Sequence, residues 1–138
     1  MNHVRSFFAT VAAFVAGNIG ITLGQVLNGL CFPMPEGMDM NDPAAFAAWV
    51  QTLPVAAMLG VELSYIVGSL LCGFVGAVAH PPHGRVIALV TGVFFTLANI
   101  MNVMAIPHPN WMVVLTMITF VPLSVAGAAL GARVRPAS

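Results

Sequence analysis

Four long apolar segments constrain the fold of this chain more than any other feature. They cover residues 6–30, 53–79, 86–106 and 111–132. Each reaches the length of about 20 residues that a helix needs to cross a hydrocarbon core roughly 30 Å thick. Helices of a water-soluble fold need a polar face, yet these segments together hold a single charged residue, Glu62. The sequence therefore predicts an all-α membrane protein with four transmembrane helices in an up-down bundle, here numbered spans 1 to 4.

The charged residues sort to opposite ends of the predicted bundle. The arginines lie before span 1, between spans 2 and 3, and after span 4: Arg5, Arg85, Arg133 and Arg135. The acidic residues outside the spans lie in the loop between spans 1 and 2: Glu36, Asp39 and Asp42. Because positive residues are retained on the cytoplasmic side, we expect both termini in the cytoplasm and this loop on the outer side.

The loop 33–52 is the only sizeable connection between the spans. Asp42 followed by Pro43 predicts a helix start, with a carboxylate N-cap and proline in the first turn. Phe46 and Trp49 follow at helical spacing, so we expect a short interfacial helix with Trp49 at headgroup level. Because all connections are short, residues 1–138 form one transmembrane domain with no room for a soluble catalytic domain.

An internal repeat relates the two halves of the chain. Five polar and proline residues recur at an offset of 74: Thr22, Gln25, Asn28, Pro33 and Pro35 match Thr96, Asn99, Asn102, Pro107 and Pro109. Both copies run in the same direction through the membrane, so the pattern predicts two pseudo-repeated hairpins related by an axis along the membrane normal. The alternative is a chance coincidence of polar residues near helix ends.

Small residues four apart predict close helix packing. They occur in spans 1, 2 and 4, as Gly20 and Gly24, as Gly68, Cys72 and Gly76, and as Gly127 and Gly131. This spacing lets helix backbones approach each other closely in lipid. We therefore expect a tight bundle, or contacts of the same kind with a second subunit.

Polar side chains within the spans form stripes along one face of a helix each. The stripes are Asn18, Thr22, Gln25 and Asn28 in span 1, Glu62, Tyr65 and Ser69 in span 2, and Thr96, Asn99 and Asn102 in span 3. Most lie in the half of the membrane away from the arginines. We therefore expect a buried polar pocket toward the periplasmic side, with these ligand-binding candidates: Glu62, Tyr65, Gln25, Asn28, Asn99, Asn102 and His108. The alternative is that the amides only join helices through hydrogen bonds.

Glu62 is the residue on which a functional interpretation depends most. A charged group deep in the membrane costs at least about 2.5–3.5 kcal/mol, so such a residue marks a function by default. We expect its partners to be Tyr65, or Gln25 and Asn99. This carboxyl group is consistent with a binding role and with a proton-coupled role in a small oligomeric transporter or pore.

Catalytic and cofactor motifs are absent from the sequence. There is no nucleophile elbow, phosphate-binding glycine loop, C-x-x-C or H-E-x-x-H. We therefore expect a non-enzymatic protein without a cofactor. A weaker hypothesis concerns copper, because Met34, Met38 and Met40, with Cys31 and His108 nearby, are soft ligands that suit Cu(I).

Two short motifs carry a resemblance to a known group of proteins. They are Asp39-Met-Asn-Asp-Pro43 with Leu53-Pro54 in the outer loop, and Pro107-His-Pro-Asn-Trp111 before span 4. With these motifs the chain resembles a family of small, uncharacterised bacterial four-helix integral membrane proteins over nearly its full length. The resemblance implies a bacterial inner-membrane location, and it brings no known activity with it, so it leaves the function open.

The expected partners follow from composition. The formal net charge is zero, so no basic surface is available for nucleic acid. The lipid bilayer is one partner, and a different membrane protein or a second copy of the chain is another. The leading functional expectation is a binding or accessory subunit, with the oligomeric transporter or pore as the alternative.

Overall fold

The fold consists of helices joined by short connections. The computed structural model describes residues 2–39 and 41–134 and has no β-strand within these ranges. Its helices are α1 (Asn2–Cys31), α2 (Pro43–Thr52), α3 (Val55–Ala79), α4 (Gly84–Ala105) and α5 (Asn110–Arg133), with a short 3-10 turn at Pro81–His83. Spans 1 to 4 correspond to α1, α3, α4 and α5, and every end lies within four residues of its predicted position. The all-α prediction is confirmed.

The helix ends follow the local chemistry of the sequence. The Asp42 carboxylate accepts hydrogen bonds from the backbone N–H of Ala44 at 3.0 Å and of Ala45 at 3.2 Å, which caps α2 as predicted. Pro54 directly precedes α3, where the missing N–H costs nothing. Pro107 follows the end of α4 and prevents its continuation.

The outer surface of the four long helices is apolar. Large hydrophobic side chains point away from the bundle on each of them, including Leu30, Leu63, Met104 and Ile118. A water-soluble protein would bury such side chains, whereas lipid tails accept them. All four helices are long and apolar enough to cross a membrane. The molecule is a multi-pass membrane protein.

Helix α3 is the central element of the bundle. It packs extensively against α1 on one side and α5 on the other, and less against α4. Helix α4 packs mainly against α5, and α1 and α4 touch only lightly. The bundle is therefore closed on three sides and loose between residues 18–28 of α1 and 95–102 of α4, a region named the α1–α4 seam below.

Glycines allow the two tight contacts of α3. A Cβ atom on Gly20 of α1 would lie only 3.1 Å from the Cα of Gly68 in α3. On the other side, a Cβ on Gly131 of α5 would lie 2.7 Å from the backbone oxygen of Phe74. Backbones this close gain the van der Waals contact that drives helix association in lipid. The predicted close packing is confirmed.

Candidate functional site

A cavity of about 470 Å³ lies within the bundle, in the half nearer α2. Side chains from all five helices line it. Six of the seven predicted ligand-binding residues are among them: Gln25, Asn28, Tyr65, Asn99, Asn102 and His108. The stripes predicted on separate spans thus meet around one space, which we call the amide cavity.

The side chains of two asparagines in the cavity lining already make hydrogen bonds within the protein. The Asn28 side-chain nitrogen donates to the backbone oxygen of Ala57 at 3.0 Å and so joins α1 to α3. The Asn18 side-chain nitrogen donates to the backbone oxygen of Phe14 in its own helix at 2.9 Å. The alternative expectation, that the amides only join helices through hydrogen bonds, therefore holds for Asn28.

Asn99 has no such partner. Its side chain is only 6 % exposed, and its Nδ2 atom makes no hydrogen bond within the part of the chain that the structure describes. A buried donor left unpaired costs about 1–3 kcal/mol. Native proteins seldom retain this cost without a reason, and a bound molecule or a water is the usual one. Asn99 is also a lining residue of the amide cavity, so an acceptor that satisfies this donor would come from the cavity after a small movement of the amide.

Tyr65 and Gln25 form the part of the cavity between α3 and α1. Tyr65 is buried, and its ring packs against Phe120 at a centroid distance of 5.2 Å. The Gln25 side chain is exposed in the α1–α4 seam and neighbours the Tyr65 hydroxyl group. These two residues bring polar atoms from two helices to the same wall.

His108 lies at the α2 end of the cavity. Its Nδ1 atom is 2.6 Å from the backbone oxygen of Ile106. A carbonyl oxygen can only accept, so Nδ1 carries a proton in this contact. The backbone bond fixes the orientation of the ring.

Glu62 has different partners from those expected. It is only 2 % exposed and does not line the amide cavity. The Thr116 hydroxyl donates to one carboxyl oxygen at 2.9 Å, and the Thr119 hydroxyl donates to the other. The prediction that Glu62 bonds with Tyr65, or with Gln25 and Asn99, is wrong for these two hydrogen bonds. The face of α3 that carries Glu62 is turned toward α5.

The protons of the Glu62 cluster can be counted. The Thr116 hydroxyl also lies 2.7 Å from the backbone oxygen of Met112, and the Thr119 hydroxyl lies 2.9 Å from that of Leu115. Each hydroxyl has one proton for two acceptors. The cluster therefore joins α3 to α5 and is separate from the lining of the cavity.

The two threonines were missed by sequence reasoning, although a signal existed. Thr116 is six residues past the start of α5 at Asn110, and Glu62 is seven residues past the start of α3 at Val55. Both helices start at the same end, so both residues lie about 10 Å below it at 1.5 Å per residue. Equal depth on neighbouring helices would have identified the pair.

Helix α2 covers the cavity, which was also not foreseen. Phe46, Trp49 and Val50 line the cavity from α2, and the same residues pack with Met58 and Met112. The predicted helix is confirmed, and its aromatic side chains lie over the cavity, whereas the headgroup position of Trp49 remains a prediction.

The copper hypothesis remains a prediction for Met34 and Met38, and Met40 lies outside the described residues. Within ranges 2–39 and 41–134, no three or more His, Cys, Asp or Glu side chains come together as a metal site.

The internal repeat also remains a prediction. Gln25 and Asn99, its equivalent positions, line the same cavity.

The comparisons with known proteins identify no relative. No protein-family model matches the sequence, and no similar chain was found among curated proteins or solved structures. The functional argument therefore depends on the geometry of the cavity.

Proposed function

We propose that this protein binds a small, partly polar molecule in the amide cavity, as a binding or accessory subunit of the bacterial inner membrane. One observation carries the proposal. The Nδ2 atom of Asn99 is buried and unpaired within the described residues, beside a cavity of about 470 Å³. An acceptor oxygen on a bound molecule would remove the cost of this unpaired donor.

Binding is favoured over catalysis by the types of polar groups in the cavity. Most are amides, from Gln25, Asn99 and Asn102 among others. Amides donate and accept hydrogen bonds but do not exchange protons near neutral pH, so they hold a ligand without acting as acid or base. The proposal therefore assigns no reaction to the cavity.

The proposed orientation follows the distribution of charge. The amide cavity lies at the α2 end, which carries Asp39 and Asp42, and Arg5 and Arg85 lie at the opposite end. By the positive-inside rule, the α2 end faces the periplasm and both termini are cytoplasmic. A ligand would then bind in the outer half of the membrane.

The oligomeric transporter or pore is the second candidate. A carboxyl group buried in a membrane helix favours it, because such groups often carry protons. Glu62, however, is bonded to Thr116 and Thr119 and does not line the cavity. Coupling between a ligand and this proton would need a rearrangement of α3 against α5, so binding is the simpler proposal.

Melting curves in lipid nanodiscs test the proposed function. We expect at least one member of a panel of neutral amides, ketones and alcohols to raise the melting temperature of the wild type. The same compound should give no shift with Asn99→Leu. Thr96→Val is the matched control, because Thr96 lies three residues away and bonds only to its own helix at Gly92. A compound that shifts wild type and Asn99→Leu equally would contradict the proposal.

A further inference from the structure

Half of the aromatic side chains in the chain line the amide cavity. The sequence contains nine Phe, two Trp and one Tyr, and the cavity is lined by Phe32, Phe46, Trp49, Tyr65, Phe95 and Phe120. At its base, the rings of Phe95 and Phe120 are stacked at 5.7 Å with an interplanar angle of 18°. Flat rings of this kind pack best against another flat ring.

The cavity offers no countercharge to an ion. Within the described residues, its lining has neither a carboxylate nor an arginine. A charged ligand would lose its hydration and find no ion of opposite sign, which is costly in a low-dielectric site. The lining therefore favours a neutral ligand, with polarity confined to a few atoms.

The unpaired polar atom of the cavity is a donor. Asn99 Nδ2 lacks an acceptor, and the amides of Gln25 and Asn102 also reach the cavity. Carbonyl oxygens are acceptors without a proton of their own, so they satisfy such donors and leave no new donor unpaired. A ring that carries carbonyl oxygens matches both the aromatic walls and the amide donors.

The entrance lies on the membrane side of the molecule. Phe46, Trp49 and Val50 of α2 cover the top of the cavity. At the α1–α4 seam, the helices touch only lightly, and the polar side chains of Asn18 and Gln25 are exposed. A ligand that enters through this seam would come from the surrounding lipid rather than from water.

We propose that the amide cavity binds the flat, carbonyl-bearing ring of a neutral lipid-soluble molecule of the quinone type, which enters through the α1–α4 seam. This inference rests on the proposed function, since it names the ligand class of the same cavity. Asn99 donates to a ring carbonyl, the aromatic side chains of the lining border the ring, and Gln25 lies at the entrance. No electron transfer is assigned to the complex.

Menadione and 2-methylnaphthalene make a matched pair of probes, because they share a fused, methyl-substituted ring system and differ in the two carbonyls. The full chain in lipid nanodiscs is titrated with each, and quenching of tryptophan fluorescence is followed in a Trp111→Phe background, which leaves Trp49 in the cavity as the reporter. We expect saturable quenching by menadione. Binding of 2-methylnaphthalene, which is not itself a quinone quencher, is followed by its ability to displace menadione and restore the fluorescence, and we expect no displacement. Asn99→Leu should weaken menadione binding about tenfold or more. Thr96→Val should leave it within about twofold.

Each outcome decides the inference. If 2-methylnaphthalene binds as tightly as menadione, or if Asn99→Leu leaves menadione binding unchanged, carbonyl recognition is wrong. If Asn99→Leu does not fold, Asn99→Ala replaces it, because alanine also removes the amide donor and adds no bulk. Wild-type menadione affinity in that variant overturns the inference.

If menadione does not bind but a panel compound still gives a shift that depends on Asn99, the quinone inference fails and the proposed function stands. If no compound depends on Asn99, both fail.

Discussion

Asn28 and Asn99 are the same residue type and both line the amide cavity, but their side-chain amides differ in their hydrogen bonds. Asn28 has an acceptor on α3 and contributes to packing. Asn99 has no acceptor among the described residues and so leaves a donor for a ligand. A sequence pattern cannot separate the two roles, because each asparagine lies on the polar stripe of its own helix. Only the position of the neighbouring backbone distinguishes a structural amide from a binding amide.

Substitutions at Glu62 test whether it serves the contact between α3 and α5. Glu62→Gln keeps an acceptor and gains a donor, so the bonds to Thr116 and Thr119 persist and the melting temperature should stay near that of the wild type. Glu62→Leu loses both bonds, and at about 0.6 kcal/mol each we expect it to be less stable by about 1 kcal/mol. The measurement is a set of melting curves in detergent.

Ser64→Ala is the control for these variants. Ser64 is buried on the same helix, but its hydroxyl donates to the backbone oxygen of Val61 within α3. Its loss breaks no bond between helices, so a smaller change is expected than for Glu62→Leu. A leucine variant that melts higher than the wild type would show that the cost of burying the carboxyl outweighs its hydrogen bonds.

At the scale of helices, sequence and structure agree where the signal is local. Prolines and the Asp42 cap determine the helix ends, so these could be predicted closely. The faces of α1 and α4 that line the cavity were also predictable from the three-and-four spacing of their amides. The partners of Glu62 were not, because they depend on how α3 is rotated between α1 and α5. That rotation is set by glycine contacts on both sides of α3, which a single helix pattern does not show.

The turn between α3 and α4 contains a titratable pair. His80 is 3 % exposed, and its Nε2 atom lies 3.1 Å from Nδ1 of His83. Arg5 reaches the same region and donates to the backbone oxygen of Ala79 at 3.4 Å. Burial lowers the pKa of His80, and the positive charges of His83 and Arg5 lower this pKa further.

This shift predicts an acid-sensitive turn. The folded protein binds a proton at His80 less tightly than the unfolded chain, so this contribution to stability is complete above the unfolded pKa of about 6.5. It is lost as pH falls toward the lower pKa of the folded state. We expect melting temperatures measured from pH 7.5 to pH 5 to fall less steeply in His80→Asn than in the wild type. His3→Asn, at an exposed position near the same end, is the control, and equal slopes for wild type and His80→Asn would contradict the prediction.

For the whole molecule, the unequal packing of the bundle matters most. Helix α3 is held by α1 and α5 through close backbone contacts, and α2 covers the end of the bundle. The α1–α4 seam lacks such contacts, and exposed Asn18 and Gln25 lie there. In the proposed entry route, a cavity with a covered top and a loosely packed side would exchange its contents with the bilayer rather than with water. The arrangement thus suits a protein that samples molecules dissolved in lipid.

The orientation of the molecule is the last prediction, and the distribution of arginines carries it. With Arg5 and Arg85 in the cytoplasm, the loop before α2 lies outside the cell membrane. Native Cys31 is exposed near that loop and is first replaced by serine, whereas Cys72 is buried and is retained. In this background, Met38→Cys should react with a membrane-impermeant thiol reagent in cells with a permeable outer membrane and an intact inner membrane. Pro82→Cys, at an exposed position of the turn between α3 and α4, should react only after the inner membrane is opened. The opposite labelling pattern would invert the topology and place the amide cavity on the cytoplasmic side.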